Sequence, residues 1–303
     1  LFDYNSDGLM DILVANYGYY ISPTVYLGAV ALYKNVGTFT QPAFTKLTDD
    51  YMGLSGSGLG WGFYPAFADL DHDGDQDMMV GDQLGKLFYY VNTPSGGTAS
   101  FSLAVPQVQN DLGVVIDVGQ LAKPFFFDMD GGRKLDMVVG ERNGNINFYH
   151  NTGTQLAPLW HLENDSIGGV VVKEWWNVTG YSVPFVFTND AGQTELLVGS
   201  ESGMLWEFDN IDGNLGGSFN LVDSTWQGIN EGGHSSAVLY DFDGDGLRDA
   251  VTGNYRGGLG YWRNDFNAGT VGNEGLSAAQ AFGIVPNPAA GSTELIVHVP
   301  LSS

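Results

Sequence analysis

Nine residues late in the chain, Asp241-Phe242-Asp243-Gly244-Asp245-Gly246-Leu247-Arg248-Asp249, read D-x-D-x-D-G-x-x-D. Carboxylates stand at the first, third, fifth and ninth positions, and a glycine at the sixth lets the chain turn sharply. Oxygen donors spaced this way wrap a hard cation. Calcium fits best, because it accepts several carboxylates and a backbone carbonyl, here that of Leu247, with loose geometry. An EF-hand begins alike but carries a bidentate Glu at its twelfth position and helices on both sides. Here the twelfth residue is Thr252, and the flanks Ala237-Val238-Leu239-Tyr240 and Ala250-Val251-Thr252 read as strands. The expectation is a calcium loop within a β-hairpin.

The loop recurs upstream. Asp69, Asp71, Asp73, Asp75 and Asp77 fill every acidic position of Asp69-Leu70-Asp71-His72-Asp73-Gly74-Asp75-Gln76-Asp77. Asp3, Asn5, Asp7, Leu9 and Asp11 form a second match, with an amide oxygen at the third position. A partial copy keeps Asp128, Asp130 and Asp136, with Lys134 at the carbonyl position, but loses the fifth acid and the sixth glycine. There Arg133 and Lys134 are expected to place positive charge near the acids. A last copy, Thr188 to Glu195, is one residue short and nearly stripped of ligands. Two unit charges roughly 4 Å apart repel by about 4 kcal/mol even at an effective dielectric of about 20. A cation or protons must relieve that repulsion in each acidic turn.

The elements that hold these loops repeat as well. An apolar strand such as Pro124-Phe125-Phe126-Phe127 precedes each loop, except in the first unit, where none is present. A second strand ending in glycine or a small residue follows, as in Met137-Val138-Val139-Gly140. A third strand begins at Gly28, Gly85, Gly144, Gly203 and Gly257, and ends at the same offset at Asn35, Asn92, Asn151, Asn210 and Asn264. A fourth strand is legible in four units, around Phe44, Leu103, Trp160 and Leu221. Four strands in roughly 57 residues make one propeller blade. No helical period of any length interrupts them. The fold class is therefore all-β: a β-propeller of four-stranded antiparallel blades, five of them visible at about 1–55, 56–115, 116–175, 176–230 and 231–264. The first unit lacks its first strand and the fifth lacks a clear fourth. A ring left open exposes costly edges, so the missing strands are expected outside this segment, with further blades.

Composition narrows the function classes. The chain has 303 residues with 35 acids against 11 bases, a formal charge of −24. Much of that charge sits in the loops, and its sign argues against nucleic acid or an anionic membrane as partner. There is no cysteine, which excludes disulfides and thiol catalysis. No apolar run approaches the roughly 18 residues of a membrane span. The chain opens inside an acidic loop with neither an initiator Met nor a signal peptide, so an internal piece of a longer precursor is expected.

On these residues the units resemble the FG-GAP/VCBS repeat family, whose blades carry a D-x-D-x-D-G-x-x-D loop between their first two strands. The integrin α-subunit propeller is a familiar relative. The resemblance covers about 1–264. It implies bound calcium, an extracellular place and often adhesion. The motif carries over fully at Asp69–Asp77 and Asp241–Asp249, with one Asn at Asp3–Asp11, partly at Asp128–Asp136, and not at Thr188–Glu195. The tail differs. After a stretch low in large apolar residues (265–281) comes a Pro-Asn-Pro turn at 286–288 and an alternating strand. From 282 to 303 it resembles the start of the C-terminal sorting domain of type IX secretion cargo in Bacteroidetes. This implies a truncated small β-sandwich domain and a meeting with that secretion machinery.

Catalysis has little support. His72, His150, His161, His234 and His298 lie in no metal-ligand spacing, and none precedes a nucleophile motif. Clustered Asp could supply a glycosidase pair, but the loops claim nearly all of it. Glu174 beside Trp175-Trp176 could bind sugar, though the pair reads as packing. Asn177-Val178-Thr179 is a glycosylation sequon by pattern alone. The function expected is a secreted or outer-surface binding or adhesion module with structural calcium, no enzymatic activity, and an extracellular protein or glycan as partner. Its alternatives are an accessory propeller of a polysaccharide-degrading hydrolase or lyase, or a surface or filament component.

Overall fold

Short apolar strands broken by Gly, Asp and Asn turns fold into five antiparallel sheets of four strands and one extra hairpin. The computed structural model describes residues 1–22, 25–230, 232–255 and 257–264, with the backbone alone for 19–22 and Val25. It adds the backbone of two short strands, Leu276–Ser277 and Glu294–Ile296. Blade 2 is the simplest unit: Tyr64–Ala68, Asp77–Gly81, Leu87–Asn92 and Phe101–Val105 pair in chain order. Blade 3 repeats it with Lys123–Phe127, Asp136–Gly140, Ile146–Asn151 and Trp160–Asn164. Blade 4 uses Val183–Thr188, Thr194–Gly199, Leu205–Asp209 and Asn220–Asp223. Blade 5 uses Ser236–Tyr240, Asp249–Gly253, Leu259–Asn264 and Leu276–Ser277.

Blade 1 departs from this plan. Its strands are Ile12–Ala15, Val30–Asn35 and Ala43–Thr48, and Glu294–Ile296 pairs on the outer edge of the last. The missing first strand shrinks to one bridge, in which the Asp11 N–H donates to the Phe2 carbonyl at 2.8 Å. Phe2 is buried and stacks on Phe67 of blade 2 at 4.3 Å between ring centroids. A hairpin, Tyr19–Ser22 with Val25–Leu27, is inserted before the third strand, which the sequence pattern did not suggest.

Apolar clusters fill the spaces between neighbouring blades and cover the second strands of blades 2 and 3 on both faces. Asp77–Gly81 and Asp136–Gly140 are buried throughout, whereas the outer strand Phe101–Val105 is mostly exposed. One cluster joins Ile12, Tyr33 and Phe44 of blade 1 to Phe242, Val251 and Tyr261 of blade 5. Blade 5 thus packs on blade 1, and five blades suffice to close the ring. The recurrent glycine ending the second strand has a packing cause. A Cβ on Gly81 would lie 2.0 Å from the Ala122 carbonyl oxygen of the next blade, and one on Gly199 2.0 Å from that of Ser235.

The linker 265–281 and the sorting domain expected from 282 lie outside the described residues, apart from the two backbone pairings. Leu276–Ser277 pairs with Arg263 and Asn264, and Glu294–Ile296 pairs with Ala43, Phe44 and Thr45.

Candidate metal centres

Each acidic loop joins the first two strands of its blade, and four of them share one conformation. The fourth and sixth residues adopt left-handed backbone: Ser6 and Gly8, His72 and Gly74, Gly131 and Arg133, Gly244 and Gly246. Glycine does this without strain, whereas a side-chain residue there is disfavoured. The first aspartate fixes the turn by accepting the N–H of the sixth residue. Those bonds are 2.8 Å from Gly8 to Asp3, 3.2 Å from Gly74 to Asp69, 2.8 Å from Arg133 to Asp128 and 3.0 Å from Gly246 to Asp241. Arg133 therefore holds the turn in place of the lost glycine, at φ 61°.

The ninth aspartate plays a separate part. Asp11, Asp77, Asp136 and Asp249 are almost wholly buried. One oxygen of each accepts the N–H of the second loop residue: Tyr4 at 2.7 Å, Leu70 at 3.2 Å, Met129 at 3.1 Å and Phe242 at 3.1 Å. The other accepts the N–H of the asparagine ending the third strand: Asn35 at 2.6 Å, Asn92 at 2.8 Å, Asn151 at 2.8 Å and Asn264 at 2.9 Å. Tyr89 and Tyr261 add a hydroxyl donor in blades 2 and 5. The asparagine side chains of blades 1 to 3 continue the clasp outward. Asn151 Oδ1, for example, accepts the N–H of Gly153 and of Leu159, and its amide donates to the Leu135 carbonyl. So in blades 1 to 3 the asparagine that marks the repeat ties the acidic loop to the turn before the fourth strand. Burial pushes the carboxyls of Asp11 and Asp249 up to about 6, and raises those of Asp77 and Asp136, against the pull of these backbone donors.

The first, third and fifth aspartates converge instead on a common point. In blade 2 Asp69, Asp71 and Asp73, and in blade 5 Asp241, Asp243 and Asp245, each offer an oxygen within 4.8 Å of the others. Burial and the adjacent Asp73 raise the Asp71 carboxyl. In blade 1, Asp3, Asn5 and Asp7 hold the same loop positions. Three oxygens of these loops are buried yet accept no hydrogen bond among the described residues: Asn5 Oδ1, Asp128 Oδ1 and Asp243 Oδ2, of which the last is ion-paired with Arg263. Such oxygens are costly unless something coordinates them. The donor set is hard oxygen throughout, as calcium needs, with Leu9, Asp75 and Leu247 at the carbonyl position. The residues therefore fit a calcium ion. They would hold it as a staple across the first hairpin.

The loops differ in a way their own spacing does not reveal. The residue before the marker asparagine faces the acids from the third strand. Lys34 Nζ lies 3.8 Å from Asp7, and Arg263 Nε pairs with Asp243 at 2.7 Å. In blade 3 the residue is His150, whose Nδ1 lies 3.2 Å from Asp136 and 3.8 Å from Asp130. In blade 2 it is Val91, so no such strand cation faces those acids. The positive charge expected from Lys134 is turned away: its Nζ donates to the carbonyls of Asn151 and Gly153. In blade 4 the Asn189 side chain fills its own turn. Its Oδ1 accepts the N–H of Ala191 and Gln193, and its amide donates to Glu195.

The tryptophan pair is also placed against expectation. Trp175 and Trp176 are 89% and 60% exposed, edge to face at 5.2 Å, so they do not pack in the fold. Their loop follows the Val172 bond to Gly144 and returns through Gly180 to the Arg142 carbonyl. This sets it on the face opposite the acidic loops.

The family described as FG-GAP-like repeat matches residues 3–80, which span the loops of blades 1 and 2. No curated protein matches the chain. The matched segment and the five-bladed ring together support a propeller of the FG-GAP kind.

Proposed function

We propose that this chain is a calcium-stapled propeller that serves as a binding or adhesion module at the cell surface or outside the cell. One observation carries the reading: three loop carboxylates converge within 4.8 Å in blades 2 and 5, and blade 2 has no cation from its third strand. Calcium relieves that repulsion and fixes the hairpin. Extracellular sites of this type bind calcium at roughly 10⁻⁴ to 10⁻³ M. The chain is given no reaction of its own. The tail from 282 is assigned as the beginning of a type IX sorting domain, to be checked by whether the native host exports a chain shortened before it.

The ligand surface in this reading is the face that carries Trp175 and Trp176. Large aromatic side chains left in water are the usual anchors of an interface, and a glycan or an extracellular protein suits them. The charge of −24 disfavours polyanions. Calcium content by elemental analysis, with thermal melting in chelator and in millimolar calcium, tests the staple. No bound calcium and an unchanged Tm would end that part. A glycan and protein-ligand screen of the chain against its Trp175→Ala/Trp176→Ala double variant tests the surface. Equal binding by both would place the ligand elsewhere.

A further inference from the structure

We propose that the blade-3 loop is a transition-metal site, held by Asp130, Asp136 and His150. The loop retains the turn of its relatives but has Gly132 where they carry the fifth acid. That loss removes a ligand from an all-oxygen calcium shell. The third strand supplies a replacement of different chemistry. His150 stands one residue before Asn151, at the register position that aims Lys34 and Arg263 at their loops. Its Nδ1 lies 3.2 Å from Asp136 Oδ1 and 3.8 Å from Asp130 Oδ2, and all three atoms lie within 4.8 Å of one another. Around an ion held at about 2.0–2.2 Å by nitrogen and oxygen, tetrahedral ligands stand roughly 3.4 Å apart, which lies between these two separations.

Two further observations point the same way. Asp128 Oδ1, at the first position of this loop, is buried and accepts no hydrogen bond among the described residues. Lys134, the loop's own amine, is held by the carbonyls of Asn151 and Gly153 and leaves the acids to another cation. Imidazole with carboxylate suits zinc, nickel, copper or iron, while calcium prefers six to eight oxygens. His150 is partly exposed and Asp130 exposed, so the ion reaches the site from solvent and keeps water in its remaining positions. The inference does not rest on calcium in the other loops.

Cobalt(II) is the probe, because its visible d–d absorption reports nitrogen ligation and low coordination number. The chelator-treated full chain is expected to take up cobalt(II) with a d–d band that millimolar calcium does not displace. His150→Gln and Asp130→Asn should each weaken binding at least tenfold, while Asp190→Asn, at an exposed position in the short blade-4 turn, should leave the band unchanged. Both changed side chains are partly exposed, so the melting of the metal-free variants should match the parent and exclude a folding cause. No band, a band insensitive to His150→Gln, or displacement of cobalt by millimolar calcium would overturn the proposal. Chelator-sensitive melting that survives in His150→Gln would leave the calcium reading intact whichever way cobalt behaves.

Discussion

Two aspartates six residues apart in one loop hold it by different means. Asp71 faces its fellow carboxylates, whereas Asp77 accepts the N–H of Leu70 and Asn92 and the Tyr89 hydroxyl. Asp77→Ala leaves those buried donors without a partner, at about 1–3 kcal/mol for each. It should destabilise by roughly 3 kcal/mol or more, whether or not metal is present. Asp71→Ala removes a ligand and a repelling charge together. In calcium at about a hundred times its Kd it should cost up to about 2.7 kcal/mol, and in chelator nothing or a slight gain. Melting of both variants with calcium and with chelator checks this. A chelator-dependent loss at Asp77 equal to that at Asp71 would refute the division of labour. The D-x-D-x-D-G-x-x-D spacing showed which residues belong to the loop but gave all four acids one role. Separating them needed the third strand, because the partner of Asp77 lies at Asn92, beyond any local pattern. His150 stayed hidden for the same reason: strand pairing, not spacing, carries it to Asp136. The left-handed fourth residue was equally silent, since Ser6 and His72 take that conformation without being glycine.

At the scale of the hairpin, four blades close through the long acidic turn and blade 4 through a short one. In blade 2 the turn runs from Asp69 to Gln76 between paired Ala68 and Asp77. In blade 4 it runs from Asn189 to Gln193 between paired Thr188 and Thr194. The Asn189 side chain supplies hydrogen bonds where the longer turns gather carboxylates, and Asp190 is exposed beside it. Chelation should therefore speed amide exchange in Tyr64–Ala68 with Asp77–Gly81, and leave Val183–Thr188 with Thr194–Gly199 unchanged. Asn189→Ala should cost about 1 kcal/mol for the lost turn bonds, equally in calcium and in chelator. Asp190→Ala should cost almost nothing. Hydrogen exchange resolved by peptide measures the first, and uniform loosening of all five hairpins would contradict it. The strand repeat itself was legible, because the Gly-to-Asn offset recurs in every unit and apolar strands stand between turn residues. The inserted hairpin of blade 1 was not, since Tyr19–Ser22 and Val25–Leu27 have no counterpart in the other units.

For the molecule as a whole, the decisive contacts are those that only a closed ring permits. Tyr17 of blade 1 meets Trp61 before blade 2 and His234 and Tyr255 of blade 5, while His234 lies against Tyr181 at the entry to blade 4. Lys123 of blade 3 lies between, its Nζ 5.2 Å from the Tyr64 ring centroid and 5.4 Å from that of Tyr181, donating to the Tyr181 carbonyl at 2.9 Å. Five blades meeting in one cluster places it on the axis, at the end away from the acidic loops. The sequence pattern suggested a ring still open; the cross-ring packing of Phe44 against Phe242 closes it, a contact between the two ends of the repeat array. A lysine sealed in this cluster makes the whole ring sensitive to pH. Burial lowers its amine from 10.5 to about 7, partly opposed by Glu141. The unfolded chain then binds more protons than the folded one between about pH 7 and 10.5, so this residue's penalty shrinks as pH rises through that window. Lys123→Met keeps the volume and loses the charge, the carbonyl bond and the contact with the rings. It should raise stability by about 1–3 kcal/mol at pH 6, the relieved desolvation outweighing those losses. By pH 10 that advantage should vanish or reverse, because the parent's amine is then neutral in the fold and only the lost contacts remain. Melting of parent and variant across pH 6 to 10 reads the difference directly, and a constant gap would show that the amine is not what the axis works against.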